Sequence, residues 1–181
     1  MYALGMVELN SIPKGIEAAD AMLKAANVSL STAQAVCAGK YIAVVTGDVA
    51  AVKSSVDAGS AIAGEKLIDA IVIPNIHPQV PEAINGCTMV DGPMAVGILE
   101  TFSLAAAVVV ADAAVKAADV TLMEVRLGRG LGGKSFILLA GDVAACKAAV
   151  KAGEAVPEAQ GLLNESVVIP APHPDLFTAI M

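Results

Sequence analysis

The chain has 181 residues, a length that accommodates one domain or two small ones. Hydrophobic residues make up 56% of it and charged residues 16%, a composition that excludes a disordered chain. The formal net charge of −7 argues against a nucleic-acid partner, because such a protein needs a basic face to neutralise phosphates. The most apolar stretch, residues 95–110, contains Glu100 and falls short of the ~20 residues that cross a bilayer, so no membrane partner is expected.

The start of the chain and its cysteines indicate the compartment. No basic segment followed by an apolar run begins at Met1, so no secretory signal is predicted. The three cysteines, Cys37, Cys87 and Cys146, are odd in number and widely spaced. This pattern is typical of a reducing cytoplasm and not of a disulfide scaffold. We therefore expect a cytoplasmic protein.

The first predicted elements are a short apolar strand over residues 3–9 and an amphipathic helix. Ser11 can cap this helix, and the first helical turn tolerates Pro13. Apolar residues then recur three and four positions apart, as on one buried helix face. They are Ile16, Ala19, Leu23 and Ala26.

Two strands, a second helix and a final strand follow. The strands are predicted over residues 28–36 and 40–46, and Asp48 can cap the helix after them. The last strand, residues 67–73, ends at Pro74. This β-α-β-β-α-β order predicts an α/β (α+β) fold of the ferredoxin-like type, with one sheet and both helices on one of its faces.

The same blocks of sequence occur twice. Ala3–Glu8 returns as Ala95–Glu100, and Asp20–Val28 returns as Asp112–Val120, each 92 residues further along the chain. Gly39-Lys40 returns after 94 residues, and His77-Pro78 returns after 96. Because the offset grows in two steps, the second copy carries two short loop insertions.

Two similar domains are therefore predicted, over residues 1–80 and 94–181. Between them, residues 81–93 contain the turn signals Asn85-Gly86 and Asp91-Gly92, which indicate a linker.

These repeated blocks resemble the shell-protein domain of bacterial microcompartments, over nearly the whole chain and once in each half. The tandem pair resembles the trimeric class, in which three two-domain chains form a flat pseudo-hexagon. The resemblance implies a structural, non-enzymatic protein that tiles with itself and with other shell proteins around enclosed enzymes, redox enzymes among them. It also implies that a helix lysine of each half, Lys24 and Lys116, lies at the tile edge. The closing Pro-Arg-Pro-His of the family lacks its arginine in both halves.

The resemblance further implies that the loop before the third strand of each half lines a central pore, and the two loops differ. Glycine is favoured where backbones crowd on an axis. The second loop supplies Gly130, Leu131, Gly132 and Gly133, and the first, two residues shorter, supplies Cys37, Ala38 and Gly39.

Cys37 carries the sharpest implication of the resemblance. Three Cys37 thiolates, one from each chain, would meet on the threefold axis and hold a 4Fe–4S cluster for electron transfer or cluster delivery across the shell. Two other interpretations stay open. A single cysteine at a strand end also fits a small buried residue, and the pore of such a tile can pass a small metabolite without a cluster.

The other cysteines and the histidines have no predicted cofactor role. Cys146 takes the place of the core residue Val52 of the first copy, and Cys87 lies in the linker with nothing to pair with it. His77 and His173 lack a second ligand at helical spacing, so we interpret them as edge or end-cap residues.

The case for an enzyme is weak. Glu8 and Glu100 occupy equivalent strand positions in separate copies, which favours a structural role. Residues 128–135 match the pattern of a phosphate-binding loop, but that loop needs a helix directly after it, and residues 136–140 are predicted as a strand. A small trimeric ligand sensor of the same fold is the remaining alternative, and it would need a polar pocket between subunits.

Overall fold

The computed structural model describes residues 2–86, 88–90 and 94–180. The chain divides into two compact units, Met1–Ile76 and His77–Met181. Cys87 and the predicted turn at Asp91-Gly92 lie outside the described residues. No helix of the described part is long and apolar enough to cross a membrane.

The first unit contains the predicted β-α-β-β-α-β order. Its strands form one antiparallel sheet in the order β2-β3-β1-β4, with α1 and α2 on one face. Gly5 of β1 lets α2 lie close to the sheet, because a Cβ there would come within 2.6 Å of Val56. The elements are β1 (Tyr2–Leu9), α1 (Ile12–Ala25), β2 (Ser29–Val36), β3 (Lys40–Asp48), α2 (Val49–Ala63) and β4 (Leu67–Pro74).

The second unit repeats this fold and adds a helix at each end. Its antiparallel sheet has the order β6-β7-β5-β8, which is the order of the first sheet shifted by one repeat. The elements are α3 (Gln79–Asn85), β5 (Ala95–Thr101), α4 (Leu104–Ala117), β6 (Val120–Leu127), β7 (Ser135–Gly141), α5 (Val143–Glu154), β8 (Leu163–Ile169) and α6 (Pro174–Ile180). The predicted fold class and its duplication are thereby confirmed.

Part of the predicted linker is helical. Residues 81–85 belong to α3, which packs against β6 with Val80 and Ile84 buried. Gln79 fixes the start of this helix, since its side-chain oxygen accepts a hydrogen bond from the Leu122 backbone N–H at 2.8 Å. Tertiary packing therefore holds a short helix where the local residues indicate only turns.

The buried face of α1 differs from the predicted one. Ser11 caps the helix as expected, through a hydrogen bond from the Lys14 N–H. The buried stripe, however, runs through Gly15, Ala18, Ala19 and Met22, and Ile16 is 55% exposed. Because Gly15 has no side chain, this face of the helix lies directly against Tyr41, whereas Ile16 and Leu23 are exposed.

Asp48 occupies the N-cap position of α2, as predicted, but its side chain does not make the capping hydrogen bond. The corresponding N-cap residue of α5, Asp142, behaves in the same way. The start of these helices therefore depends on their packing against the sheet more than on a side-chain cap.

Candidate functional site

The first candidate loop is the turn between β2 and β3. Cys37 follows directly on β2 and is half-buried, whereas Ala38 and Gly39 are exposed at the tip. Gly39 has a φ of +76°, in the left-handed region where glycine is preferred. The loop thus places a thiol at the base of a short, solvent-facing turn.

The second candidate loop lies between β6 and β7 and is built on glycine. Four of its residues have positive φ angles, which explains why this sequence is so rich in glycine. They are Gly128 (66°), Gly130 (72°), Gly132 (62°) and Gly133 (95°). Arg129 between them is exposed, and Leu131 is half-buried.

In both repeats, an ion pair joins the lysine that follows the loop to a glutamate in the first strand of the sheet. The Lys40 ammonium lies 2.7 Å from the Glu8 carboxylate, and the Lys134 ammonium lies 2.7 Å from that of Glu100. Hydrogen bonding to Lys134 lowers the pKa of Glu100 below the usual 4.5, although burial opposes this and Asn164 adds a second hydrogen bond. The pairs tie the base of each loop to the first strand of its sheet.

These ion pairs give a physical basis for the structural role predicted for Glu8 and Glu100, and the sequence prediction did not include them. The sequence contains the information needed to predict these ion pairs. Each lysine follows a loop glycine in both repeats, and each glutamate occupies the same strand position in both repeats. Lys134 forms an ion pair with Glu100, and strand β7 begins directly after Lys134, at Ser135. As predicted, a strand follows the phosphate-loop pattern, and not the helix that a phosphate-binding loop needs.

Cys146 has the core position that was predicted, and each histidine lies between the last strand of its repeat and the helix that follows. Cys146 is buried, its thiol donates to the Ala95 carbonyl at 3.4 Å, and burial raises its pKa, so it is a core residue. The Nδ1 atom of each histidine accepts from the backbone N–H two residues later, at Gln79 or Asp175. No group of three metal-ligating side chains occurs in the part of the chain that the structure describes.

The predicted edge lysines each pair with an aspartate one helical turn earlier. Lys24 lies 2.6 Å from Asp20, with both side chains well exposed. Lys116 lies 2.5 Å from Asp112, whose side chain is only 10% exposed and also accepts the His77 backbone N–H at 2.8 Å. These aspartates recur at the same offset in the sequence, but the sequence alone assigns them no role.

One face of the second sheet carries a cavity of about 640 Å³, which α6 helps to line through Ala179 and Ile180. Ile98, Phe136 and Leu138 form much of its apolar lining. Arg126 lies over the Phe136 ring at 5.0 Å and holds the Glu124 carboxylate with two hydrogen bonds of 2.7 and 2.9 Å. The cavity is thus mainly apolar, with charged groups from β5, β6 and β8 in its lining, a composition found in protein interfaces as well as in ligand sites.

Comparison with known proteins identifies the family. The BMC domain matches the chain twice, over residues 3–76 and 95–172. The chain belongs to the bacterial microcompartment shell proteins. Membership confirms the expected family and a structural, non-enzymatic protein.

Individual relatives match the tandem arrangement. The chain is 46% identical to the bacterial microcompartment shell protein PduT of Citrobacter freundii, over 97% of this chain and 95% of that protein. A microcompartment protein of Desulfitobacterium hafniense DCB superposes with a TM-score of 0.93 at 51% identity, over 98% of this chain and 99% of that one. Shell protein EutM of Salmonella typhimurium is 47% identical, but its match covers 45% of this chain and 88% of EutM, about one BMC domain.

Proposed function

We propose that three copies of this BMC protein close into a ring, a pseudo-hexameric tile of a cytoplasmic microcompartment shell, with Cys37 holding a 4Fe–4S cluster at the centre. The ring and the cluster rest on different observations and are tested separately. Tiling with other shell proteins through Lys24 and Lys116 is part of the same proposal.

The observation that carries the ring is a difference between equivalent helices. In α4 the apolar residues Leu104, Val108 and Val115 are buried. Their equivalents in α1 are exposed, and they form an apolar stripe on the surface of the first unit. The stripe consists of Ile12, Ile16 and Leu23. A stripe of this kind on a soluble helix marks a surface that packs against a partner.

The second sheet offers the complementary surface. Its cavity-lining residues Ile98 and Phe136 are half-buried, whereas the equivalent residues of the first sheet, Met6 and Ile42, are fully buried. The chain thus has an exposed apolar helix face near its start and, near its end, a sheet face that α6 covers only in part, with Phe177 and Ile180 packed on it. Joining such different surfaces from copy to copy makes a head-to-tail contact, which yields a ring when the rotation closes.

A charge inside the stripe tests the ring. Ile16→Asp should dissociate the trimer, because the carboxylate would be buried without a partner in the contact. Met89→Asp, at another highly exposed apolar residue, is the control and should leave the trimer intact. Analytical ultracentrifugation measures both variants, and a trimer that survives Ile16→Asp would contradict the proposed contact. Extended sheets or tubes in negative-stain images would support a tile, whereas isolated rings would support a ligand sensor.

The cluster rests on the position of Cys37 and on the resemblance. One chain supplies one thiolate at this turn, and the described residues contain no metal-binding group of three, so a cluster needs thiolates from several chains. Three Cys37 thiolates around a threefold axis would leave one iron for an external ligand. A bound 4Fe–4S cluster supplies a one-electron redox centre, which suits electron transfer to enclosed redox enzymes.

Anaerobic reconstitution with iron and sulfide tests the cluster. The wild-type protein should develop sulfur-to-iron charge-transfer absorption, and Cys37→Ser should lose it. Cys146→Val is the matched control, because Val52 occupies the equivalent position of the first repeat, and Cys87→Ser tests the remaining thiol. An unchanged spectrum in Cys37→Ser would contradict cluster binding by Cys37 and would support a tile whose pore carries no cluster.

A further inference from the structure

The second unit contains a docking site that is filled, and the first unit contains the same site unfilled. In the second unit, α3 and the turn before it occupy the site. Asp112 on α4 accepts the His77 backbone N–H at 2.8 Å, and the Leu122 N–H on the edge strand β6 donates to Gln79 at 2.8 Å. Leu122 is 1% exposed, and Val80 and Ile84 of α3 are buried.

The equivalent surface of the first unit is made of the same residue types. Asp20 replaces Asp112, and Leu30 replaces Leu122 at the same offset of 92 residues. Both strands carry a register shift at this point, between Leu30 and Thr32 in β2 and between Leu122 and Glu124 in β6. Here, however, the Asp20 side chain is 59% exposed and Leu30 is 46% exposed.

The segment that would fill this surface is also present in the chain. His173, Asp175 and Leu176 are the equivalents of His77, Gln79 and Val80, at an offset of 96 residues. The two turns have the same local structure, because the histidine Nδ1 accepts the N–H two residues later in each. Yet His173 and Asp175 are exposed, and Leu176 is 45% exposed, whereas Val80 is fully buried.

We infer that α6 of one copy docks on α1 and β2 of the next copy, with Asp20 accepting the His173 backbone N–H and Asp175 accepting the Leu30 N–H. Leu176 packs on Leu30 in this contact, as Val80 and Leu122 are both buried in the filled site. An edge strand such as β2 presents outward N–H groups that need an acceptor. A carboxylate is the stronger acceptor, so Asp175 in place of Gln79 suits the position.

This docking rests on the proposed ring and names the residues that hold it together. Each ring has one such contact per pair of neighbours, and Asp20 lies on the same face of α1 as Ile16 and Leu23, about one turn from each. The occupant is a second copy of this chain because the filled site shows which sequence fits the surface, and residues 173–180 supply that sequence.

Asp20→Ala tests the contact, since the residue is exposed on a helix and its removal does not open the core. Loss of one hydrogen bond to a charged acceptor should weaken each contact about tenfold. Three contacts per ring make the overall association constant fall about a thousandfold. Leu176→Ala should weaken the ring by a similar or larger factor, because it removes buried apolar area.

A control separates this effect from the loss of any exposed carboxylate. Asp57→Ala removes an exposed aspartate from α2. This variant should dissociate on dilution as the wild type does. Mass photometry over a dilution series measures the constants, and hydrogen exchange of the His173 amide should be slow in the wild-type ring and fast in Asp20→Ala.

The outcomes distinguish this inference from the proposed function. A wild-type chain that stays monomeric would overturn the ring and the docking together. A wild-type ring whose dissociation is the same in Asp20→Ala, Leu176→Ala and Asp57→Ala, with unchanged His173 exchange, would overturn the docking alone.

Discussion

Replacing Gly15 by alanine tests how α1 is seated next to the Cys37 loop. A Cβ at this position would lie 2.5 Å from three atoms of Tyr41, far inside van der Waals contact. Tyr41 is buried, so its ring cannot swing into solvent. Overpacking costs about 1–3 kcal/mol, and a helical alanine regains up to ~1 kcal/mol over glycine. With the Cβ and two ring atoms of Tyr41 in the clash, we expect Gly15→Ala to lower the free energy of unfolding by about 2 kcal/mol.

The second repeat supplies the compensating change. There, Ala107 replaces Gly15 and Ser135 replaces Tyr41, so a larger helix residue faces a smaller strand residue. Tyr41→Ser alone should cost about 3–5 kcal/mol through the lost ring. The double variant Gly15→Ala/Tyr41→Ser should cost about 1–2 kcal/mol less than the two single changes together, because the methyl group then fills part of the space.

Urea unfolding followed by circular dichroism measures this cycle, at one protein concentration because assembly contributes to apparent stability. Additive effects of the two substitutions, or a stabilising Gly15→Ala, would refute the claimed contact between the helix and the Tyr41 ring.

Three further substitutions concern polar groups near the loops. Ser135→Ala should raise the free energy of unfolding by about 1 kcal/mol, since the Ser135 hydroxyl is buried and has no hydrogen-bond partner among the described residues, and a lower melting temperature would contradict this. Lys40→Met should cost about 3 kcal/mol at neutral pH by leaving the buried Glu8 carboxylate unpaired, and a neutral effect in urea unfolding would speak against the ion pair. Lys134→Met acts through the lowered pKa of Glu100, whose contribution to stability is present above pH 4.5 and is lost as the pH falls through the folded-state pKa. The variant should therefore lose less stability than the wild type below pH 4.5, and parallel pH profiles would exclude this role of Lys134.

The repeat made most of the fold predictable from the sequence. Blocks such as Asp20–Val28 and Asp112–Val120 align strand with strand and helix with helix, so one prediction of element order was supported twice. The loop insertion at residues 128–133 was located in the same way, from the change in offset. Prolines and glycines at the element ends then set the boundaries within a few residues.

The surfaces that a helix presents were harder to predict. Periodicity finds the apolar stripe of Ile16 and Leu23 but does not say whether a sheet of the same unit or a partner covers it. The contact of Gly15 with Tyr41 decides this, and it joins residues 26 positions apart in the sequence. The role of Asp112 was hidden for the same reason, because its acceptor function depends on His77, 35 residues away.

The candidate site was predictable only in part. The loop of Cys37 and the glycine loop were found because the two repeats differ there, whereas the ion pairs behind them were missed because the repeats agree. Cys146 was correctly placed in the core by its alignment with Val52. The role proposed for Cys37 needs thiolates from neighbouring chains, which a single sequence or a single chain does not contain.

Native mass spectrometry of the protein after anaerobic reconstitution tests the central claim most directly, since it reports chain number and iron content together. The account predicts a species of three chains carrying one cluster of four irons and four sulfides, and three chains without the cluster for Cys37→Ser. Detection of the wild-type protein as a single chain, or as a trimer whose iron content is the same in Cys37→Ser, would contradict the proposed trimer with its cluster.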